Sequence, residues 1–228
     1  MSIKDWPADD RPREKLLERG ASVLTDAELL AIFLRIGVTG KSAVELAREL
    51  LQRFGSVAAV VAAPKEEFCS LHGMGEAKYV QLQATVELAR RALASAMAEQ
   101  PMLDKPDIVR DYLRLSLAHE RVEVFVALWL DVAHKLIEMQ VLFRGTLTQT
   151  SVYPREVVRA ALAKNAAAVV FAHNHPSGST APSQADRALT TRLKDALALI
   201  DVMVLDHCIV GRGETHSAVR SMAAMGEM

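Results

Sequence analysis

The sequence predicts an α/β protein in two parts: a small all-helical domain over residues 1–100, then a mixed sheet with helices packed on it over residues 101–228. Three observations carry this. In the first part apolar residues recur at helical spacing, as in Leu29, Leu30, Ile32, Phe33 and Ile36. Pro101 and Pro106 then interrupt the helical period. Beyond them, short apolar runs such as VFVALWLDV and AAVVFAHNH alternate with amphipathic stretches, the pattern of a sheet layered with helices. Half of the 228 residues are apolar, enough to bury at least one full core and leave room for a second small domain.

Each element has its own signal. Thr25-x-x-Glu28 is a capping box that opens the first clear helix, and Gly37 stops it. SAVELARELLQRFG repeats the pattern, and after LHGMG a third helical run fills AKYVQLQATVELARRALASAMAEQ. In the second part VFVALWLDV predicts a buried strand and KLIEMQVLF its hairpin partner. PREVVRAALAKN predicts a helix with Pro154 in its first turn, AAVVFAHNH a strand, SQADRALTTRLKDALALI a helix capped by Ser183, and DVMVLDHCIVG the last strand. The predicted order is β-β-α-β-α-β.

Charge and cysteine content narrow the function classes. Thirteen Lys and Arg stand against fourteen Asp and Glu in the first hundred residues, and fourteen against fourteen beyond them. Neither half has the strong basic excess of a dedicated nucleic-acid binder. Cys69 and Cys208 are far apart and belong to no C-x-x-C, so neither a disulfide framework nor a cysteine zinc site is indicated, and a reducing compartment fits. The N-terminal MSIKDWPADDRPREK is too polar for a signal peptide, and VAAVVAA is far shorter than a membrane span. The expectation is a cytoplasmic protein without membrane attachment.

The stretch FAHNHPSGSTAPSQAD, Phe171 to Asp186, carries the chemistry. On a strand, residues i and i+2 point to one side, so His173 and His175 aim two imidazoles at one place. Pro176 and Gly178 turn the chain. Ser183 caps the next helix, which puts Asp186 in its first turn, where a carboxylate is favoured. A bare His-x-His is common by chance among packing and surface histidines; the strand end, the turn and the capped aspartate point to a metal. Two nitrogens and one carboxylate oxygen with an open fourth position are the pattern of catalytic zinc.

This stretch resembles the JAMM (MPN-plus) metalloprotease signature, His-x-His-Pro followed by six residues and Ser-x-x-Asp. The asparagine between the histidines, together with VYPREVVRAALAKNAAAVVFAHNHPSG and LDHCIVG, resembles the RadC branch of that family, and the likeness runs from about Arg11 to Ser217. The resemblance implies a cytidine-deaminase-like mixed-sheet sandwich preceded by the small all-α domain. It implies Zn²⁺ held by His173, His175 and Asp186, with the Ser183 hydroxyl stabilising the oxyanion. It also requires a glutamate from an earlier strand to take the proton of the attacking water. Glu120 and Glu123 both precede the apolar run; Glu123 is expected to serve because it enters the strand directly, as the family's glutamate does. The implied reaction is hydrolysis of an amide or isopeptide bond in an unknown protein or peptide substrate. Asp206 and His207 fit either support of the ligand histidines or ordinary packing, and Cys208 is expected in the core. Lys164, Asn165 and His216 offer no chemical handle.

In the helical part SLHGMGEAK resembles a helix-hairpin-helix turn, in which Gly73 and Gly75 let backbone N–H groups approach a phosphate, with Lys78 beside them. The match is partial, since Tyr79 stands where a small residue is usual and His72 where proline is frequent. A plain glycine turn in a protein-binding module fits as well. GVTGKS is no phosphate-binding loop, because Arg35 replaces the required first glycine and the preceding segment is helical. Two function classes follow: a zinc hydrolase with a helical accessory domain, and a DNA-associated repair or recombination accessory protein with a non-catalytic zinc site that binds DNA weakly through the helical part. The three-ligand site favours the first, because structural zinc normally has four protein ligands.

Overall fold

The computed structural model describes residues 6–145, 152–212 and 218–228. His216 and Ser217 fall outside the described residues. The chain forms two compact units, Met1–Glu87 and Leu88–Met228. The expected division at residue 100 marks where the chain leaves its long helix. The compact units divide earlier, because Leu93, Ala94 and Met97 of that helix pack with the core of the second unit.

The first unit is helical: α1 (Pro12–Arg19), α2 (Asp26–Leu34), α3 (Ala43–Phe54), α4 (Val57–Ala62), α5 (Lys65–Cys69) and the start of α6 (Glu76–Glu99). Thr25 and Ser42 each form a complete capping box with the glutamate three residues on, which satisfies two orphan N–H groups at each helix start. α2 ends earlier than expected. Its last residue is Leu34, and Arg35 turns the chain with a positive φ (68°). Gly37 instead permits a close approach of the backbone to itself. A Cβ there would lie 2.0 Å from the Lys41 carbonyl oxygen, so no side chain fits. Leu30, Leu34, Val44, Leu46, Ala47, Leu50, Phe68 and Met74 form the core of this unit.

The second unit is built on a five-stranded mixed sheet. Its strands are β1 (Glu123–Leu130), β2 (Leu136–Gly145), β3 (Ala168–Asn174), β4 (Met203–Val210) and β5 (Val219–Ser221), in the order β2-β1-β3-β4-β5. β1 and β2 form the expected antiparallel hairpin, β1 also pairs antiparallel with β3, β3 pairs parallel with β4, and β4 antiparallel with β5. Helices α7 (Pro106–Leu117), α8 (Pro154–Ala163) and α9 (Gln184–Ala198) complete the unit. In this unit sequence periodicity misses two elements. Pro106, a breaker by its sequence context, sits in the first turn of α7, where its missing N–H costs nothing. β5 has only three residues, too few to give a period.

Alternation along the strands sorts the side chains into two cores. Val124, Val126, Leu128, Val170 and Ala172 face one way, with Val109, Leu113 and Leu117 of α7. Phe125, Ala127, Trp129, Val169 and Phe171 face the other, with Val157 of α8 and Leu189, Leu193 and Leu197 of α9. Glu123, His173 and His207 share the second parity, since Phe125 lies opposite His173 and Phe171 opposite His207. That parity puts all three toward the side on which α9 packs.

Candidate metal centre

β3 is buried along its whole length, so His173 and Asn174 are polar residues in an otherwise apolar strand. His173 is fully buried. His175 lies one residue beyond the strand, yet its N–H still donates to the Val210 carbonyl (2.9 Å). The parallel ladder thus continues far enough to keep the two imidazoles on one side, and their Nε2 atoms lie 2.9 Å apart.

Asp186 arrives from α9. Ser183 caps the helix by accepting the Asp186 N–H (3.1 Å), while the Asp186 carboxylate accepts the Ser183 N–H (2.6 Å). This capping box turns the carboxylate back past the helix start, and it lies 3.2 Å from His173 Nε2 and 3.4 Å from His175 Nε2. The Glu123 carboxylate, from the entry of β1, lies 4.0 and 3.9 Å from the same two atoms. One ligand atom each from Glu123, His173 and His175 falls within 4.8 Å of the others. Asp186 stands nearer to both imidazoles than Glu123 does, so two carboxylates and two imidazoles face one point.

The electrostatics follow from this crowding. Burial raises the pKa of the Asp186 carboxyl, but hydrogen bonds from His173, His175 and Ser183 and the charge of His173 outweigh it and hold the group well below the usual carboxylate range. The hydrogen bond to Asp186 raises the pKa of His175 against the opposing effect of burial. Nitrogen and carboxylate lone pairs thus converge on one point, and this mixed donor set would suit a divalent transition metal.

The outer nitrogens of both imidazoles are also held. His175 Nδ1 donates to the Ser179 carbonyl (3.0 Å). His173 Nδ1 meets His207 Nε2 at 2.8 Å, and His207 Nδ1 meets the Thr190 hydroxyl at 2.5 Å. Burial holds the His207 pKa well below its ordinary value. Phe125 stacks beside His173 and presents an edge to His207, which keeps this flank apolar.

Asn174 makes three hydrogen bonds to the backbone at the start of β1. Its Oδ1 accepts the Val124 N–H (2.8 Å), and its Nδ2 donates to the carbonyls of Glu120 (3.2 Å) and Val122 (3.0 Å). The residues on both sides of Glu123 are thereby fixed to the strand that carries the histidines.

The remaining residues singled out from sequence lie elsewhere. Glu120 pairs with Arg144 (2.9 Å). Asp206 has the opposite strand parity from His207 and accepts from the backbone N–H groups of His207 and Ala223, so it braces the C-terminal turn from the face away from the imidazoles. Cys208 is buried in the core, as expected. In the helical unit Lys78 donates to the Gly73 carbonyl (2.7 Å), and the Met74 N–H donates to the Leu71 carbonyl (3.0 Å), so the lysine singled out beside the turn is bonded to the turn itself. The sequence alone assigns no role to Thr190, although its place one helical turn after Asp186 puts it on the same face. The polarity of Asn174 inside an apolar strand is the available signal for the clamp.

Residues 103–224 match the RadC-like JAB domain, and residues 3–80 match the UPF0758 N-terminal domain. The UPF0758 protein of Nitrosomonas eutropha is 61% identical over 217 residues, which span 95% of this chain and 97% of that one. The UPF0758 protein of Ectopseudomonas mendocina is 59% identical over the full length of both. The UPF0758 protein RSc2444 of Ralstonia nicotianae is 56% identical over 217 residues, 95% of this chain and 97% of that one.

Proposed function

The chain belongs to the RadC-like JAB domain family, and on that premise we propose that it is a zinc-dependent hydrolase of amide or isopeptide bonds in protein or peptide substrates. One observation carries the reading: the Nε2 atoms of His173 and His175 and the carboxylates of Asp186 and Glu123 converge from three separate elements on one point.

His173, His175 and Asp186 are assigned as the zinc ligands. A zinc ion with three protein ligands supplies Lewis acidity to a substrate carbonyl and lowers the pKa of water to about 7. Glu123, a little farther from both imidazoles, takes the proton from the attacking water and returns it to the leaving amine. Asn174 keeps Glu123 in place for that transfer. Ser183 accepts a hydrogen bond from Asp186, so its own proton is left to donate to the oxyanion that develops on the carbonyl oxygen. A structural zinc normally has four protein ligands; three with a separate glutamate fit catalysis. The free thiols of Cys69 and Cys208 suit a reducing cytoplasm.

Metal analysis tests the reading. The purified protein is expected to carry one zinc per chain, and Asp186→Ala or the double variant His173→Ala/His175→Ala is expected to lose it. Equal zinc in the wild type and the double variant would remove the site.

A further inference from the structure

We propose that His207 and Thr190 form a hydrogen-bond relay that fixes which nitrogen of His173 carries its proton, and so serve as positioning residues for the metal centre. The inference rests on the zinc reading above and adds two residues to it.

The two histidines are oriented by different means. A carbonyl oxygen only accepts, so Ser179 fixes the proton of His175 on Nδ1 and leaves Nε2 its lone pair. His173 Nδ1 instead meets another imidazole nitrogen, His207 Nε2, and either of the two can be the donor. Thr190 decides between them. Its oxygen lies 2.7 Å from the Asp186 backbone carbonyl and 2.5 Å from His207 Nδ1, and it has one proton. If that proton went to His207, two oxygens would sit 2.7 Å apart with none between them. The threonine therefore donates to the Asp186 carbonyl and accepts from His207 Nδ1–H. The geometry thus leaves Nε2 of the fully buried His207 as the acceptor of His173 Nδ1–H. The lone pair of His173 Nε2 is left facing the carboxylates.

The relay also closes on itself. It begins at the side chain of one assigned ligand and ends on the backbone of another, so the tautomer of His173 and the placement of Asp186 depend on the same two residues. Met222 completes the enclosure, with its sulfur 3.9 Å from the Thr190 hydroxyl.

Thr190→Val keeps the shape of the side chain but removes the acceptor. His207 then gains by moving its proton to Nε2, which pushes the proton of His173 onto the nitrogen the metal needs. Zinc affinity is measured by chelator competition on the full chain. Thr190→Val is expected to weaken it by about 10- to 100-fold, the range for loss of a group that supports a metal ligand, and Thr190→Ser, which keeps the hydroxyl, to restore it. His207→Phe is expected to weaken it in the same range. Nitrogen NMR of the zinc-loaded wild type is expected to find His207 protonated at Nδ1 and bare at Nε2. A His207 protonated at Nε2, or a Thr190→Val protein that folds and binds zinc as tightly as wild type, overturns the relay alone. A wild type that takes up no zinc overturns the reading beneath it.

Discussion

The amide of Asn174 is 2% exposed and has partners at both ends. An aspartate has the same shape but brings carboxylate oxygens against the carbonyls of Glu120 and Val122, where the amide donates. Asn174→Asp is therefore expected to lower stability by about 1–3 kcal/mol, the cost of leaving buried acceptors without a donor. A urea midpoint equal to wild type would contradict the clamp. The two glutamates make a second residue-level contrast. Glu123→Gln keeps the donor set of His173, His175 and Asp186, so it is expected to retain zinc and lose about two or more orders of magnitude in turnover. Glu120→Gln breaks only a half-exposed pair with Arg144 and is expected to leave turnover nearly unchanged. Turnover is read on a peptide or isopeptide captured by the inactive variant, and a dead, zinc-replete Glu120→Gln would exchange the two roles.

At the scale of elements, Ser183 has two roles that substitution can separate. Ser183→Ala removes both the helix cap, worth about 1 kcal/mol, and the proposed oxyanion donor, worth about 10²–10³ in turnover. Ser183→Thr keeps both, and Ser183→Asp keeps an acceptor for the cap without the neutral donor. Turnover that follows stability through this series, with Ser183→Asp as active as wild type, would leave Ser183 a cap only. Much of this geometry is legible in the sequence. Period-two alternation in AAVVFAHNH places His173 on one side of a strand, and Ser-x-x-Asp fixes the start of α9 with its carboxylate. What escapes depends on partners distant in sequence. Thr190 and His207 meet only because β4 lies beside β3 with α9 packed against it, and no local pattern in LDHCIVG says that His207 faces a histidine while Asp206 faces away. The glycine turn is ambiguous for a related reason. GMG with a nearby lysine is compatible with a phosphate contact and with a plain turn, and no local pattern says that Lys78 reaches back to Gly73 or that a Cβ on Gly73 would meet Val38 Cγ1 at 2.3 Å.

For the whole molecule the centre couples stability to pH and to metal in opposite senses. In the metal-free protein the bond to Asp186 raises the pKa of His175 above its ordinary 6.5, against the effect of burial. The stability from that pair is fully present below about 6.5 and is lost as pH rises through the raised value. Asp186 is depressed, since its hydrogen bonds outweigh its burial; its contribution is present above the usual carboxylate range and is lost only in strong acid. The metal-free protein is thus expected to lose melting temperature as pH rises from about 6 to about 8. Zinc reverses the trend, because it binds the deprotonated imidazole and releases the proton. The gap in melting temperature between zinc-loaded and metal-free protein should therefore widen over the same pH range, and His175→Ala should flatten both curves. A gap that stays constant or narrows with rising pH in the wild type would mean that zinc does not compete with the proton shared by His175 and Asp186, and the ligand assignment would have to be abandoned.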